Sequence, residues 1–282
     1  MKNVVRTGWA LVLTALLAGC GQNPPRPSEA QQAAVQWNQR AQVAYARGDY
    51  AQALAHYQQA LALSRAIEDV NGIARELINL AVVHRKLGRP APARAALDEI
   101  LVPAGIPFTA GQRAEATYRL ALFAAEDGDA ARARTLGEQA LALCTGCASE
   151  GAIRNFQAGL RLAAGAAMEA REHARRALEL NRGLGDRAEE ANSLRLLADA
   201  ALRLKDYAAA DNGYQQALAL DKDAGHPHKI TADLLGLGEV ALAQGKKPDA
   251  ADYFRRARSV AEAAGDDAMR RQVEQRLLGI NP

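Results

Sequence analysis

The chain has 282 residues, of which 49% are hydrophobic but only 5% are aromatic, so that its apolar content is mostly alanine and leucine. This composition favours helices over strands and excludes most all-β architectures. Charged residues make up 24% of the chain and leave a net charge of +3, which excludes wholesale disorder.

The first residues have the pattern of a secretory signal peptide. Lys2 and Arg6 form a positive start, and residues 9–18 form an apolar run that is too short to span a bilayer. The motif LAGC follows, ends at Cys20 and resembles the lipobox of bacterial lipoproteins. The resemblance implies that residues 1–19 are removed and that a diacylglyceryl group is attached to the Cys20 sulfur. The alternative is an unmodified cysteine after an ordinary signal peptide.

The residues after Cys20 predict where the protein is anchored. In lipoproteins of this type an aspartate directly after the cysteine tends to retain the protein at the inner membrane, and Gly21 occupies that position here. We therefore predict an anchor in a bacterial outer membrane, with the folded part on the periplasmic side. Residues 20–29 are predicted to form the lipidated cysteine and an extended tether, which contains Pro24, Pro25 and Pro27.

An internal repeat of about 40 residues runs through the rest of the chain. Each unit has two apolar patterns of helical spacing, separated by a turn with a glycine or, in the fifth unit, with Lys205. Six helical hairpins are therefore predicted. The fourth unit is the weakest copy, because Arg154 and Gln157 stand where other units have larger apolar residues. The small residue after each turn recurs at intervals of 40, 40, 37, 40 and 40 residues, at Ala53, Ala93, Ala133, Ala170, Ala210 and Ala250.

The first unit resembles a tetratricopeptide repeat. The pattern of the tetratricopeptide repeat family has an aromatic and a small residue in the first helix of each hairpin, and an alanine, an aromatic and an alanine in the second helix. The usual length of 34 residues and the closing proline are absent, so this is similar to a longer variant. The resemblance implies an all-α, right-handed superhelical solenoid of about six hairpins over residues 30–265. The residues that carry the resemblance are Trp37, Ala41, Tyr45, Ala53, Tyr57 and Ala60.

A capping helix is predicted for residues 266–282. The last repeat of a solenoid would otherwise expose its core, so a terminal element with one polar face is needed. The apolar stripe of this helix is predicted to contain Met269, Val273, Leu277 and Leu278.

Cys144 and Cys147 form the one chemically suggestive motif, at the break between the third and fourth units. A redox pair of the thioredoxin type needs its first cysteine at a helix N-terminus, whereas residues 140–143 are predicted to end a helix. A haem site would require histidine where Ala148 stands, and two ligands do not make a zinc site unless another chain supplies the rest. We predict a structural disulfide, with a redox-active pair as a remote alternative.

No motif of a known catalytic class is present: the sequence contains no metalloprotease helix, Walker loop, serine nucleophile elbow or dinucleotide fingerprint. His226 and His228 lie in a predicted loop, where they could bind a metal weakly with Asp223, although a solvated loop is the simpler interpretation. Gly236 and Gly238 predict close packing inside a helix. The protein is therefore predicted not to be an enzyme, to carry no cofactor or metal, and not to bind nucleic acid.

The resemblance also implies a concave groove lined by the first helix of each hairpin. Asparagine at such positions can hydrogen-bond the backbone of an extended peptide, and arginine suits carboxylates. The alternative for each residue is a solvated helix face. The predicted groove residues are Arg75, Asn79, Tyr118, Arg119, Asn155, Arg195 and Asp199.

These features together predict a membrane-anchored adaptor that binds a partner protein or an extended peptide. The expected setting is an envelope assembly, such as a pilus, a secretion system, or outer-membrane or cell-wall biogenesis. A self-associating structural spacer without a separate ligand is the first alternative. A thiol oxidoreductase that uses Cys144 and Cys147 is the remote one.

Overall fold

A computed structural model describes residues 28–102 and 105–280 of the chain, and these residues form thirteen α-helices and no strand. The predicted signal peptide, the lipidation site Cys20 and nearly all of the predicted tether lie outside the described residues. The helices are α1 (Glu29–Ala46), α2 (Tyr50–Ala66), α3 (Val70–Lys86), α4 (Pro90–Leu101), α5 (Ala110–Glu126), α6 (Ala130–Leu143), α7 (Glu150–Ala163), α8 (Ala167–Leu184), α9 (Arg187–Arg203), α10 (Tyr207–Asp223), α11 (Pro227–Ala243), α12 (Lys247–Ala263) and α13 (Asp267–Ile280).

Consecutive helices pack side by side as six hairpins, α1–α2 to α11–α12, and α13 packs on α12 as a final single helix. The odd-numbered helices also contact one another, α1 with α3, α3 with α5, α7 with α9, α9 with α11 and α11 with α13. The first helices of the hairpins therefore form the inner, concave side of a curved stack. This arrangement confirms the predicted all-α solenoid of six hairpins and a terminal helix.

Side-chain caps and prolines explain where most helices begin. The carboxylates of Asp49, Asp186 and Asp266 each accept a hydrogen bond from the backbone N–H three residues later, at 3.0 Å. Three helices without such a cap, α4, α11 and α12, begin instead with proline in the first turn, where its missing N–H has no intrahelical partner to lose.

The turns inside the hairpins require the left-handed backbone region, which glycine adopts without a steric penalty. Gly48, Gly88, Gly128 and Gly245 have φ between 68° and 80° at this position. The fifth hairpin has Lys205 instead, with φ 63°, which places a Cβ in an unfavourable conformation.

We expect the substitution Lys205→Gly to raise the free energy of unfolding by up to about 1 kcal/mol, because the relief of left-handed strain exceeds the entropy lost by glycine. Urea denaturation measures the difference. Gly245→Lys, the reverse change in the next hairpin, should lower stability by a similar amount. Equal stabilities of the wild type and Lys205→Gly would contradict this account.

The alanines that define the repeat period form the contact line of each hairpin. Their side chains are all fully buried, as close approach of two helices requires. The residue four positions later fills the space beside them, and it is large in four units: Tyr57, Leu97, Tyr214 and Phe254, which are 5%, 0%, 2% and 0% exposed. The sequence pattern therefore identified the packing positions.

The third and fourth hairpins have small residues, Gly137 and Ala174, at that large-residue position. The apolar core divides accordingly. One large cluster runs from α1 to α6 and a second from α9 to α13, whereas two small clusters, which include Cys144 with Ile153 and Leu162 with Ala170, lie between them. The predicted weakness of the fourth repeat thus corresponds to the thinnest part of the core.

Hydrogen bonds replace apolar contacts in this central region. The Ser193 hydroxyl donates to Asn155 Oδ1 at 2.8 Å, and Asn181 Nδ2 donates to the same hydroxyl at 3.0 Å. All three side chains are buried. Gly151 makes room for this network, because a Cβ at residue 151 would overlap the Asn181 side chain.

Three predictions about single positions were wrong. Leu278 was placed on the apolar stripe of the terminal helix, but it is 76% exposed, whereas Ile280 is buried. Glu29 was assigned to the tether, but it is the first residue of α1. His228 was placed in a loop, but it lies in the first turn of α11, which begins at Pro227. The helical register of 3.6 residues per turn carries Leu278 away from the side that Val273 buries.

None of the helices in residues 28–102 and 105–280 has the length and apolar character needed to cross a bilayer.

Candidate functional site

Two pockets lie along the odd-numbered helices on the concave side. The N-terminal pocket, of about 570 Å³, is formed by α3, α5 and the loop before α7, and its lining includes Arg75, Asn79 and Glu115. The C-terminal pocket, of about 600 Å³, is formed by α7, α9, α11 and α13, and its lining includes Arg195 and Asp199. Four of the seven predicted groove residues therefore line one of the two pockets, whereas Tyr118, Arg119 and Asn155 line neither.

The lining of the N-terminal pocket combines apolar and amide side chains with one arginine and one glutamate, so that its net charge is close to zero. Arg75 Nε donates to Glu76 at 2.9 Å, and the buried Asn38 amide donates to both oxygens of the same carboxylate at 2.8 and 2.7 Å. The Arg75 side chain remains 44% exposed. Asn71 and Gln112 are joined by a hydrogen bond of 2.8 Å across the pocket wall. The half-exposed guanidinium suits a carboxylate, and the side-chain amide of Asn79 suits a peptide backbone.

Tyr118 belongs to the contact between α5 and α7, whereas Arg119 is paired within α5. The Tyr118 ring packs edge-on against Phe156, with the ring centroids 5.6 Å apart, and burial raises the pKa of the Tyr118 hydroxyl. Arg119 pairs with Glu115 at 2.7 Å, and Glu115 also accepts a hydrogen bond from the Ser149 hydroxyl. The Ser149–Glu115 hydrogen bond connects α5 to the residue before α7, whereas the Arg119–Glu115 pair lies within α5.

Asn155 is only 5% exposed. Its amide donates to the Glu189 side chain at 2.8 Å and to the Glu189 backbone oxygen at 3.1 Å, and its oxygen accepts from Ser193. These bonds join α7 to α9. The predicted peptide-binding asparagine is thus part of the internal network of the stack.

Arg195 is likewise enclosed by the protein's own acids. Its Nε donates to Asp233 at 2.6 Å, one terminal nitrogen donates to Asn192 at 2.9 Å, and the other pairs with Asp221. Both carboxylates are buried, with side-chain exposures of 0% for Asp233 and 1% for Asp221. The guanidinium therefore joins α9, α10 and α11, and its hydrogen-bonding groups are already occupied.

Asp199 lines the C-terminal pocket and accepts a hydrogen bond from the Tyr214 hydroxyl. Burial raises the pKa of the Asp199 carboxyl, against the opposing effects of the Tyr214 hydrogen bond and of Arg195 and Arg203. Sequence analysis placed Asp199 in the groove but missed Tyr214, Asp221 and Asp233. Their partners lie 15 to 38 residues away along the chain, and no local spacing indicates them.

The Asp233 carboxyl should make stability depend on pH. Burial raises its pKa to about 6, against the opposing ion pair with Arg195, whereas the ordinary value is 3.8. Because the pKa is higher in the folded chain, its contribution to stability is fully present below about pH 3.8 and is lost as pH rises through about 6. Relative to Asp233→Asn, the wild type should gain about 1 kcal/mol between about pH 7.5 and about pH 5. Urea unfolding of both proteins measures this gain, and a pH-independent difference would contradict it.

Cys144 and Cys147 are joined by a disulfide, with their Cα atoms 5.2 Å apart. Cys144 is the C-cap of α6 and is buried against Ile153, whereas Cys147 lines the N-terminal pocket. The disulfide closes the tight turn between the third and fourth hairpins. A cysteine at a helix C-terminus lacks the positive helix end that lowers thiol pKa values in redox-active pairs.

The histidines considered as metal ligands bind different acids. His226 Nδ1 lies 3.5 Å from Asp221, and His228 Nδ1 lies 2.7 Å from Asp266, the cap of α13. In the described part of the chain, no group of three or more His, Cys, Asp or Glu side chains is arranged to hold a metal ion. Gly236 and Gly238 face the rings of Tyr214 and Phe254, as predicted for close packing.

Family models of the tetratricopeptide repeat match residues 31–101 and residues 232–268. These segments cover the first two hairpins and the last one, so the family's repeats are identified at both ends of the stack. Folds of this class bind protein or peptide partners. The chain therefore contains tetratricopeptide repeats in these two segments, within a stack of helical hairpins.

Several solved structures have a similar fold. The chain matches a subunit of the APC/C hetero-tetramer Cut9–Hcn1 with a TM-score of 0.66 and 16% identity, over 88% of this chain and 43% of that one. It matches a Rap protein complexed with competence and sporulation factor with a TM-score of 0.64 and 15% identity, over 89% of this chain and 71% of that one. It also matches PilW, a widely conserved type IV pilus biogenesis factor, with a TM-score of 0.57 and 16% identity, over 86% of this chain and 98% of that one. At these identities the similarity shows the fold alone. No protein of curated function matches the sequence.

Proposed function

We propose that this protein is a lipid-anchored adaptor of the bacterial outer membrane, which holds a segment of a partner protein on its concave side within an envelope assembly. The observation that carries the proposal is the pair of pockets on the first helices of the hairpins. A signal-like start and the LAGC motif at Cys20 support the anchor and the periplasmic location. The absence of a recognised catalytic motif agrees with a binding role.

The similar structures support the setting without choosing a partner. PilW is a type IV pilus biogenesis factor and the Rap protein is complexed with competence and sporulation factor, so similar helical stacks occur in a pilus biogenesis factor and in a protein that binds another factor. A pilus, a secretion system, or outer-membrane or cell-wall biogenesis are the settings that we propose.

Crosslinking in intact cells tests the proposal. A photoreactive residue at Asn79, in the N-terminal pocket, should capture one dominant protein, and Arg75→Glu should abolish the capture because it reverses the exposed charge of that pocket. A matched probe at Arg134, an exposed residue of the outward helix α6, is the control. Capture from Arg134 but not from Asn79 would overturn the concave site.

The spacer alternative rests on apolar side chains outside the pockets: Met168, Leu184 and Leu278 are 57%, 59% and 76% exposed. A spacer should self-associate without any partner. Sedimentation of the chain with Cys20→Ala separates the two functions, because an adaptor is expected to sediment as a monomer.

A thiol oxidoreductase is the remote alternative. Equal partner capture by the wild type and by a variant with both Cys144→Ser and Cys147→Ser would exclude thiol chemistry from the binding function.

A further inference from the structure

The C-terminal pocket combines apolar walls with charged groups. Leu162, Leu202, Leu235 and Met269 come from four different odd-numbered helices and form its apolar surface. Such walls can enclose the aliphatic part of a long side chain, whose methylene groups leave water on binding. The charged groups of the pocket then decide which end group the occupant carries.

Most of these charges are paired within the protein. Arg195 is enclosed by Asp221 and Asp233, and Arg276 Nε lies 2.6 Å from Glu239. Asp199 differs, because its contact is the neutral Tyr214 hydroxyl. Among residues 28–102 and 105–280, no lysine, arginine or histidine lies within ion-pair distance of its carboxylate.

The charged groups around Asp199 do not compensate its missing ion-pair partner. Two acids, Asp221 and Asp233, share the single guanidinium of Arg195, so with a neutral His226 the paired cluster beside Asp199 is itself negative by one charge. Arg203 also lines the pocket but is exposed to solvent, and it has no ion pair in the described residues. Because water screens its charge, the exposed guanidinium of Arg203 stabilises the half-buried carboxylate of Asp199 less than a direct ion pair would.

We propose that the C-terminal pocket binds a lysine or arginine side chain of the partner segment, with the aliphatic stem against the leucines and the cationic end on Asp199. The proposal rests on the adaptor function proposed above and names the chemistry of its partner. An acidic side chain is excluded by repulsion from Asp199 and the negative cluster. A neutral side chain would leave the carboxylate without a charged partner, so it should bind more weakly.

A selection experiment tests the proposal without knowledge of the partner. Random linear peptides displayed on phage are selected on the purified full-length chain, on Asp199→Asn and on Arg203→Gln. Asparagine keeps an acceptor for the Tyr214 hydroxyl, so the first variant removes charge with little change in shape. Arg203→Gln is the matched control, because it removes a positive charge from the same pocket. Equal urea midpoints for the three proteins show that each is folded.

The wild type should enrich peptides that share a lysine or arginine at one position. Replacing that residue by glutamine, or Asp199 by asparagine, should weaken binding of a selected peptide by about tenfold or more. Arg203→Gln should leave the affinity equal or higher. Enrichment without a basic position, affinity that Asp199→Asn leaves unchanged, or no enrichment on the wild type would each overturn the proposal. Capture from Asn79 in cells would persist in all three cases if the adaptor function alone is right.

Discussion

Replacing Arg195 by methionine should lower the free energy of unfolding by about 3–5 kcal/mol, the range found when one partner of a buried ion pair is removed. The substitution leaves the buried carboxylates of Asp221 and Asp233 without their shared cation. Because the guanidinium joins three helices, the loss should unfold the contact between the fifth and sixth hairpins. Urea denaturation followed by circular dichroism measures the change.

Two further variants separate this mechanism from a general loss of packing. In a triple variant with Asp221→Asn and Asp233→Asn, the buried charges are gone, and much of the lost stability should return. Arg203→Met removes an exposed arginine of the same helix and should change stability by less than about 0.5 kcal/mol. A triple variant as unstable as Arg195→Met would show that the charge cluster is not the cause.

Gly238→Ala should destabilise the protein by about 1–3 kcal/mol, the usual effect of overfilling a packed core. A Cβ at residue 238 would overlap the ring of Phe254, which is fully buried. The ring cannot move aside without disturbing the contact between α11 and α12. Thermal denaturation of the variant provides the measurement.

Gly183→Ala is the matched control for this prediction. Gly183 also lies inside a helix, but a Cβ there would meet open space. Alanine should therefore raise stability by roughly 0.5–1 kcal/mol, because it is the better helix former. Shortening the ring residue with Phe254→Leu should reduce the effect of Gly238→Ala. The same sign for both glycine substitutions would contradict the steric explanation.

The sequence predicted the hairpins because their packing depends on residues that recur at a fixed period. Ala53 and Ala250 lie at opposite ends of the stack, yet each occupies the same contact between two helices. A periodic signal of this kind survives weak copies, so even the fourth unit, with Gln157 in place of an apolar residue, was assigned to a hairpin. Leu278 shows the limit, since one position in a helix decides whether a leucine is buried or exposed.

The sequence predicted which side chains lie along the groove, but it did not predict the hydrogen bonds and ion pairs that these side chains make within the protein. Arg195 and Asn155 were both assigned to a bound peptide, and both are held by partners in neighbouring repeats. Such contacts depend on which helices stack, which a family pattern does not specify for polar residues. Arg75, Asn79, Arg195 and Asp199 do line the pockets, because the positions of these residues follow from the helical register alone.

The division of the apolar core has a mechanical consequence. Gly137 and Ala174 leave the middle of the stack with little interlocking of large side chains, whereas Tyr57 and Phe254 anchor either half. In a solenoid each repeat is stabilised only by its neighbours, so bending concentrates where the neighbour contacts are fewest. We therefore expect the stack to bend most easily near α6 and α7, next to the N-terminal pocket, which reaches from α3 and α5 to the loop before α7. A partner that occupies both pockets would set the curvature of the whole stack.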